Sequence, residues 1–362
     1  MITRARHVGL TTLLTSLLCL AAAPQAHAQK YRVVDLGRGG AFGINSQGAV
    51  LGTTFGEGGQ HATVWSPSGM PTLTGEWPGD TDSGATHLND QGTVLGASGH
   101  VVTFNQYQYT VSTPFVWNPS TGLQAYPWKQ AHPDARPTAL NNLGHVALVG
   151  VQSNGSSQVM LWRSPTDFTY VVGNAVAVPG LVKGLNDQDQ LIGQAGSAGP
   201  LGSEPAYFWS PSTGYLNIPS PSRTFSNISA TTLNAQGQVG GYLQDPKTGR
   251  TKLFSWTARN GTTVLMPLTS YEGTLSPIGI DKSYRVVGNR EHFGPDRSSS
   301  ASFVWTILGG LKDLNTQLVD NGTASAPVAK VTRATQVNSQ GQIAAHAVIN
   351  GQVHAVRLDP VR

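Results

Sequence analysis

The chain has 362 residues, with 23 Lys and Arg against 19 Asp and Glu, and charged side chains make up only 12% of it. The basic residues are scattered rather than clustered, which excludes the electrostatic footprint of a nucleic-acid binder. With 43 Gly, 22 Pro, 8 Trp and a single Cys, the composition fits a turn-rich, all-β protein held together by a packed core rather than by disulfides or thiolate-bound metal.

The first segment reads as an export signal. Arg4 and Arg6 precede an apolar stretch from Val8 to Ala23, followed by Pro24 and the small-residue pattern Ala26-His27-Ala28. This order predicts a secretory signal peptide over residues 1–28, with cleavage before Gln29 and a secreted or periplasmic mature chain of residues 29–362. Thr11, Thr12, Thr15 and Ser16 interrupt the stretch and no charged stop-transfer flank follows, so no membrane span is expected in the mature part. Cys19 follows Leu17 and Leu18, where lipid attachment would want a small residue. The mature chain is thus free of cysteine.

A repeat organises everything after the leader. Ala41-Phe-Gly-Ile-Asn45-Ser-Gln-Gly48-Ala-Val-Leu-Gly52 returns as Ala85-Thr-His-Leu-Asn89-Asp-Gln-Gly92-Thr-Val-Leu-Gly96, and further copies centre on Asn141, Asn186, Asn234, Asp281 and Asn338. In Asn-x-x-Gly the Asn side chain can bond the backbone two residues on, and Gly supplies the positive φ that the hairpin needs. Asp189 and Tyr284 stand in the Gly place of the fourth and sixth copies, which predicts distorted or differently closed hairpins there. The second half of each unit is an apolar strand ending in Trp65, Trp117, Trp162, Trp209, Trp256 or Trp305, with Leu358 in that place in the seventh copy. A Pro/Ser/Gly turn and a short fourth strand follow.

Four short strands per unit, with anchors 44 to 57 residues apart, predict a seven-bladed β-propeller of four-stranded blades. The seventh unit ends after its third strand, whereas Tyr31-Arg-Val-Val-Asp-Leu36 is a fourth strand lacking the first three. Pairing the two closes the ring and removes its open edges.

The Leu/Ile-Asn-x-x-Gly-x-Val-x-Gly halves and the His-Ala-x-x-Trp or Phe-x-Trp halves resemble the HAF repeat family of bacterial extracellular proteins. The resemblance spans the mature chain and implies secretion, and it brings no defined substrate or catalytic residue with it.

The repeated tryptophans are read as blade-to-blade packing. His61 and His354 share one repeat position, which points to a structural role. Of the 10 histidines, His7 and His27 fall in the leader, and the rest never take a His-x-x-x-His spacing. No metal or cofactor is therefore expected. Asp80-Thr-Asp82-Ser-Gly84 lacks the remaining ligands of a calcium loop and reads as a solvated turn. No nucleophile elbow, phosphate loop or dinucleotide fingerprint stands in a suitable setting.

Individuality lies in the connections between second and third strands and between successive blades. Eight residues separate Gly52 from His61, but seventeen separate Gly96 from Pro114. Long loops on a rigid scaffold are where binding residues concentrate. The aromatics outside the repeat fall there, as do two charged clusters: Lys129, His132, Asp134 and Arg136, and Arg290, Glu291, His292, Asp296 and Arg297. Trp77, Tyr107, Tyr109, Trp128, Tyr271, Arg290 and His292 are accordingly the candidate ligand-binding residues. The expected function is a non-catalytic binding or interaction module for a glycan, a peptide or a surface protein. The alternative is an extracellular hydrolase or lyase that uses loop carboxylates and histidine on the same face.

Overall fold

The computed structural model describes residues 29–361 except 57, 152–156, 172–179, 196–204, 266–273, 282, 284, 292–300, 307 and 320–328. The leader, residues 1–28, lies outside the described residues, as does Tyr284. The described elements are β-strands apart from one 3-10 turn at Leu314–Gln317, and no helix among them is long and apolar enough to cross a membrane.

The first strand, β1 (Tyr31–Ile44), serves two blades. Its second half, from Gly39, pairs with β2 (Val50–Gly56), which is followed by β3 (Gly59–Trp65) and β4 (Pro71–Leu73) to complete the first blade. Its first half runs antiparallel to the strand Gln352–Pro360, in register from Tyr31↔Pro360 to Asp35↔Val356, and so becomes the outer strand of the seventh blade. The two blades form one eight-stranded sheet, which also takes in the short strand Leu318–Val319, and five four-stranded sheets make up the rest. The second of these blades is β5 (Asp82–Leu88), β6 (Val94–Phe104), β7 (Tyr107–Asn118) and β8 (Gly122–Gln124). The ring is a seven-bladed propeller closed by its N-terminal strand, as the split last unit predicts.

Seven apolar clusters among the described residues correspond to the seven junctions between blades. Each repeat tryptophan packs toward the preceding blade. Trp117 joins Leu51 and Ala62, Trp305 joins Leu253, and Trp65 joins Ala344 and Ala355 across the closure. Leu358 takes the corresponding place between the sixth and seventh blades. All six tryptophans are in these clusters, five of them fully buried and Trp162 partly, which is where a large apolar ring contributes most.

The anchor Asn does more than shape its own hairpin. In every copy its Oδ1 accepts from the N–H groups two and four residues on, as Asn89 does from Gln91 and Thr93 at 3.1 and 2.9 Å. In five copies its amide also donates to the anchor carbonyl of the next blade: Asn45 to Asn89, Asn89 to Asn141, Asn141 to Asn186, Asn186 to Asn234, and Asn338 to Asn45 over the closure, whereas the Asn234 amide donates to Gln238 Oε1 of its own hairpin. In the sixth blade Asp281 has no proton to donate, and its carboxylate is neutralised by Arg285 Nε at 2.5 Å. A second relay uses the following residue, with Ser46 N–H donating to Asp90, Asp90 N–H to Asn142 and Asn142 N–H to Asp187. Hydrogen bonds thus carry the blade order on one face of the ring.

The hairpin at Asp189 departs from expectation. It is as regular as its neighbours, with Asp189 N–H donating to Asn186 O and Asn186 N–H to Gln190 O. Asp189 itself takes the left-handed conformation at φ 59°, which Asp tolerates better than most residues. Its nearly buried carboxylate reaches the third blade, where it accepts from Arg163 Nε at 2.6 Å and Asn141 Nδ2 at 3.2 Å and lies 2.8 Å from His145 Nδ1. Asp189→Ala strips these partners while keeping the backbone strain, and a loss of about 2 kcal/mol in urea unfolding is expected. Asp189→Gly should lose less, because glycine removes the strain.

The consensus Gly of the second strand also has a packing cause. Gly96, Gly193, Gly241 and Gly288 stand opposite Phe115, Tyr207, Phe254 and Phe303. A Cβ at Gly193 would collide with the Leu181 carbonyl oxygen and the Tyr207 ring. In the third and seventh blades Leu148 and Ala345 hold that place, and their partners are the slimmer Met160 and Val356. Gly193→Ala is therefore expected to cost about 2 kcal/mol by overpacking, read as a lower denaturant midpoint at unchanged m-value.

Candidate functional site

Every inner strand carries a bulge three residues before its anchor, so that Phe42, Thr86, Thr138, Lys183, Thr231, Ile278 and Thr335 drop out of the ladder. The threonine hydroxyls turn back onto the second strand, as Thr138 Oγ1 does to Ala147 O at 3.1 Å. Phe42 and Lys183 have no such tether and are exposed. The bulge bends each strand end away from its blade.

The first three blades, with Leu181 of the fourth, line an open cavity of about 1680 Å3 on the face opposite the Asn relays. One wall is the β6–β7 hairpin, which extends beyond the blade from Gly99↔Ser112 to Phe104↔Tyr107. Thr110, Ser112 and Pro114 of β7 line the cavity, with Gly84 and Thr86 of β5. The other wall is the connection from β8 to the third blade, which contributes Tyr126, Lys129 and Asp134, followed by Arg136 at the start of that blade's inner strand, Arg136–Leu140. This connection is pinned from below by aromatic rings. Tyr126 and Trp128 lie 4.4 Å apart between centroids, Trp128 meets Trp162 at 5.5 Å, and Tyr126 OH donates to Gly96 O at 3.1 Å. Burial raises the pKa of the Tyr126 phenol, which stays a neutral donor.

Two carboxylates stiffen the side shared by the first and second blades. Glu76 Oε1 accepts from Ser83 Oγ at 2.6 Å and lies 2.9 Å from His61 Nδ1. Asp80 accepts from Ser98 Oγ at 2.6 Å and lies 2.7 Å from His100 Nδ1, and the hydroxyl bond, followed by the histidine, holds its carboxyl below the usual range. In both triplets the carboxylate stands between serine and histidine. The serine hydroxyl donates to the carboxylate rather than to the imidazole, unlike a nucleophile paired with a histidine base. These groups anchor the connection Thr74–Thr81, and Trp77 N–H also donates to Ser98 Oγ. The Asp80 segment is thus no solvated turn, since side chains 18 and 20 residues away fold over it. His354 repeats the pattern of His61 against Asp35 at 2.8 Å, in keeping with the structural role expected for this position.

The expected site residues fall apart into several places. Trp128 is 1% exposed and belongs to the junction of the second and third blades, so it offers no surface to a ligand; a large ring in a long loop anchors that loop by burial. Trp77 is half-buried against the cluster of the first two blades. Tyr107 and Tyr109 are well exposed, but strand alternation puts them on the opposite side of β7 from Thr110 and Ser112. Arg290 bonds Asp313 at 3.1 Å in the sixth blade, away from the cavity. Tyr271 and His292 lie outside the described residues, as do Asp296 and Arg297. The cluster of Lys129, His132, Asp134 and Arg136 is divided. Lys129, Asp134 and Arg136 line the cavity, Lys129 Nζ donating to Pro133 O. His132 stacks edge-on against Phe168 at 5.0 Å. Among the described residues no group of three or more His, Cys, Asp or Glu could hold a metal ion.

No family model matches the chain, and no curated protein matches it. Solved structures do. An oligogalacturonate lyase in complex with manganese aligns over 91% of this chain and 93% of its own at 10% identity, with a TM-score of 0.52. A prolyl endopeptidase aligns over 92% of this chain, at 9% identity and a TM-score of 0.54, and this chain spans half of its length. At such identity the likeness is one of fold.

Proposed function

We propose that the chain is an exported, non-catalytic binding module that takes a glycan, a peptide or a surface protein into the hollow between its first three blades. The cavity itself carries this reading: at about 1680 Å3 it exceeds the roughly 300–1,000 Å3 of an ordinary small-molecule pocket and suits an extended ligand. Its wall is rich in hydroxyls and glycine. Two of its serines, Ser83 and Ser98, donate hydrogen bonds to carboxylates, which favours recognition over nucleophilic chemistry. The repeat units are assigned to the HAF type on the motifs quoted above, and export follows from the leader.

Gly84 provides the test. A Cβ there meets open space, so Gly84→Phe should fill the cavity without disturbing the blade. Glycan and peptide arrays probed with the exported protein should yield a ligand whose binding Gly84→Phe abolishes, while Ser120→Ala and Ser212→Ala in the turns of the opposite face leave it intact. Tyr109→Ala should also bind normally. Binding that survives Gly84→Phe and is lost with the turn variants would place the site on the wrong face.

A further inference from the structure

We infer that the ligand is an anionic oligosaccharide whose charged groups are received by Arg136, Lys183 and Arg333 on the inner strands around the propeller axis; this specifies the ligand of the cavity and rests on the reading just given. The six residues before the anchor form the inner wall in each of the seven units. They include Arg136, Lys183 and Arg333 and no Asp or Glu.

Placement makes these cations a set. Arg136 and Arg333 occupy the same position, five residues before Asn141 and Asn338, and Lys183 is the bulged residue before Asn186. They come from the third, seventh and fourth blades, so they approach the axis from more than one side. All three are exposed, and inner strands encircle the axis, so exposure there means exposure to the channel. Among the described residues none of the three has an ion-pair partner. Among the described residues the cavity lining holds two carboxylates, Asp82, which accepts from Gln60 N–H, and the exposed Asp134. Of the three, Arg136 lines the cavity itself, and unpaired cations on strands around one axis, between low-dielectric walls, add to a positive potential that a bound anion relieves.

The surroundings specify the rest of the ligand. Arg136 shares the cavity wall with Phe42 and Leu181, exposed at 42% and 57% although they lie on inner strands. Thr86, Thr110, Ser112 and Thr138 add hydroxyl oxygens. An aromatic face for a sugar ring, hydroxyls for its hydroxyls and cations for carboxylate or sulfate groups together fit an acidic sugar chain.

Isothermal titration of the intact protein with trigalacturonate, a heparin hexasaccharide, neutral galactotriose and hexaglutamate tests this. One of the two anionic sugars should bind at least about tenfold more tightly than galactotriose and weaken as salt is raised. Arg136→Gln, Lys183→Gln and Arg333→Gln should each weaken that binding by about three- to tenfold with unchanged melting. Arg259→Gln, in an outer turn of the opposite face, should bind as the parent does. Equal affinity for galactotriose, indifference to the three Gln variants, or no binding of either anionic sugar overturns the inference. Hexaglutamate binding more tightly than both sugars overturns it in favour of an acidic peptide. The cavity reading falls separately, only if no array ligand is blocked by Gly84→Phe.

Discussion

Deleting Tyr31–Gly37 is expected to abolish cooperative folding of the whole ring. The deletion removes the outer strand of the seventh blade together with its ladder to Gln352–Pro360. It also takes out the ring of Tyr31, 1% exposed, and the side chain of Leu36, 7% exposed, and it breaks the pair of Asp35 with His354. Burial of the two apolar side chains is worth about 4 kcal/mol and each ladder bond about 1 kcal/mol, so the total exceeds 5 kcal/mol. That is comparable with the whole stability of an ordinary domain, about 5–15 kcal/mol. What remains would expose the unpaired edge of Gln352–Pro360, a template for intermolecular pairing. Calorimetry should show the main transition lost or strongly lowered, with light scattering reporting aggregation. A truncated chain that melts like its parent would mean that the seventh blade is dispensable and the array effectively open.

The expectation behind that experiment was legible because it rests on counting. Seven anchors, six complete units, a seventh that lacks its fourth strand and one orphan strand at the N-terminal end leave few ways to close a ring, and the structure adds the register. Period also explains why the tryptophans read correctly as core: a residue recurring at one place in every blade must satisfy a condition common to all blades. The candidate site was far less legible. Trp128 and Tyr109 both stand outside the repeat in long connections, and composition alone cannot tell a ring that pins its own loop from one that faces a ligand. Only strand alternation along β7 shows that Tyr109 looks away from the cavity, and only the packing of Tyr126, Trp128 and Trp162 shows what holds the adjoining loop. Asp80 was misread for a related reason. Its partners Ser98 and His100 lie on the neighbouring strand β6, 18 and 20 residues further on, and nothing periodic announces them. Asp189 was misread in the other direction, because hairpin chemistry alone says Gly while Arg163 and His145 of the preceding blade reward a carboxylate.

The anchor amide gives the second large effect. Asn89 is 3% exposed, and its Nδ2 donates to Asn141 O at 3.1 Å. In Asn89→Asp one carboxylate oxygen can still accept from Gln91 and Thr93, but the other faces the Asn141 carbonyl oxygen with no proton between them. A buried charge without a partner costs about 3–5 kcal/mol, so this isosteric change should destabilise the ring more than Asn89→Ala. The chain already contains the remedy: Asp281 serves as an anchor because Arg285, four residues on, lies against its carboxylate. Thr93 is the equivalent position in the second blade, and Thr93→Arg should recover part of the loss in Asn89→Asp while doing nothing for Asn89→Ala. Acid supplies an independent check. Burial beside a carbonyl raises the folded-state pKa of the new carboxyl above its unfolded value of about 3.9. The deficit relative to the parent is therefore small below that value, where the protonated group can donate to Asn141 O, and it grows as pH rises through the folded-state pKa. Urea midpoints of Asn89→Asp that track the parent by a constant offset from pH 3.5 to 8 would show that the amide does not hold the blades together through this bond.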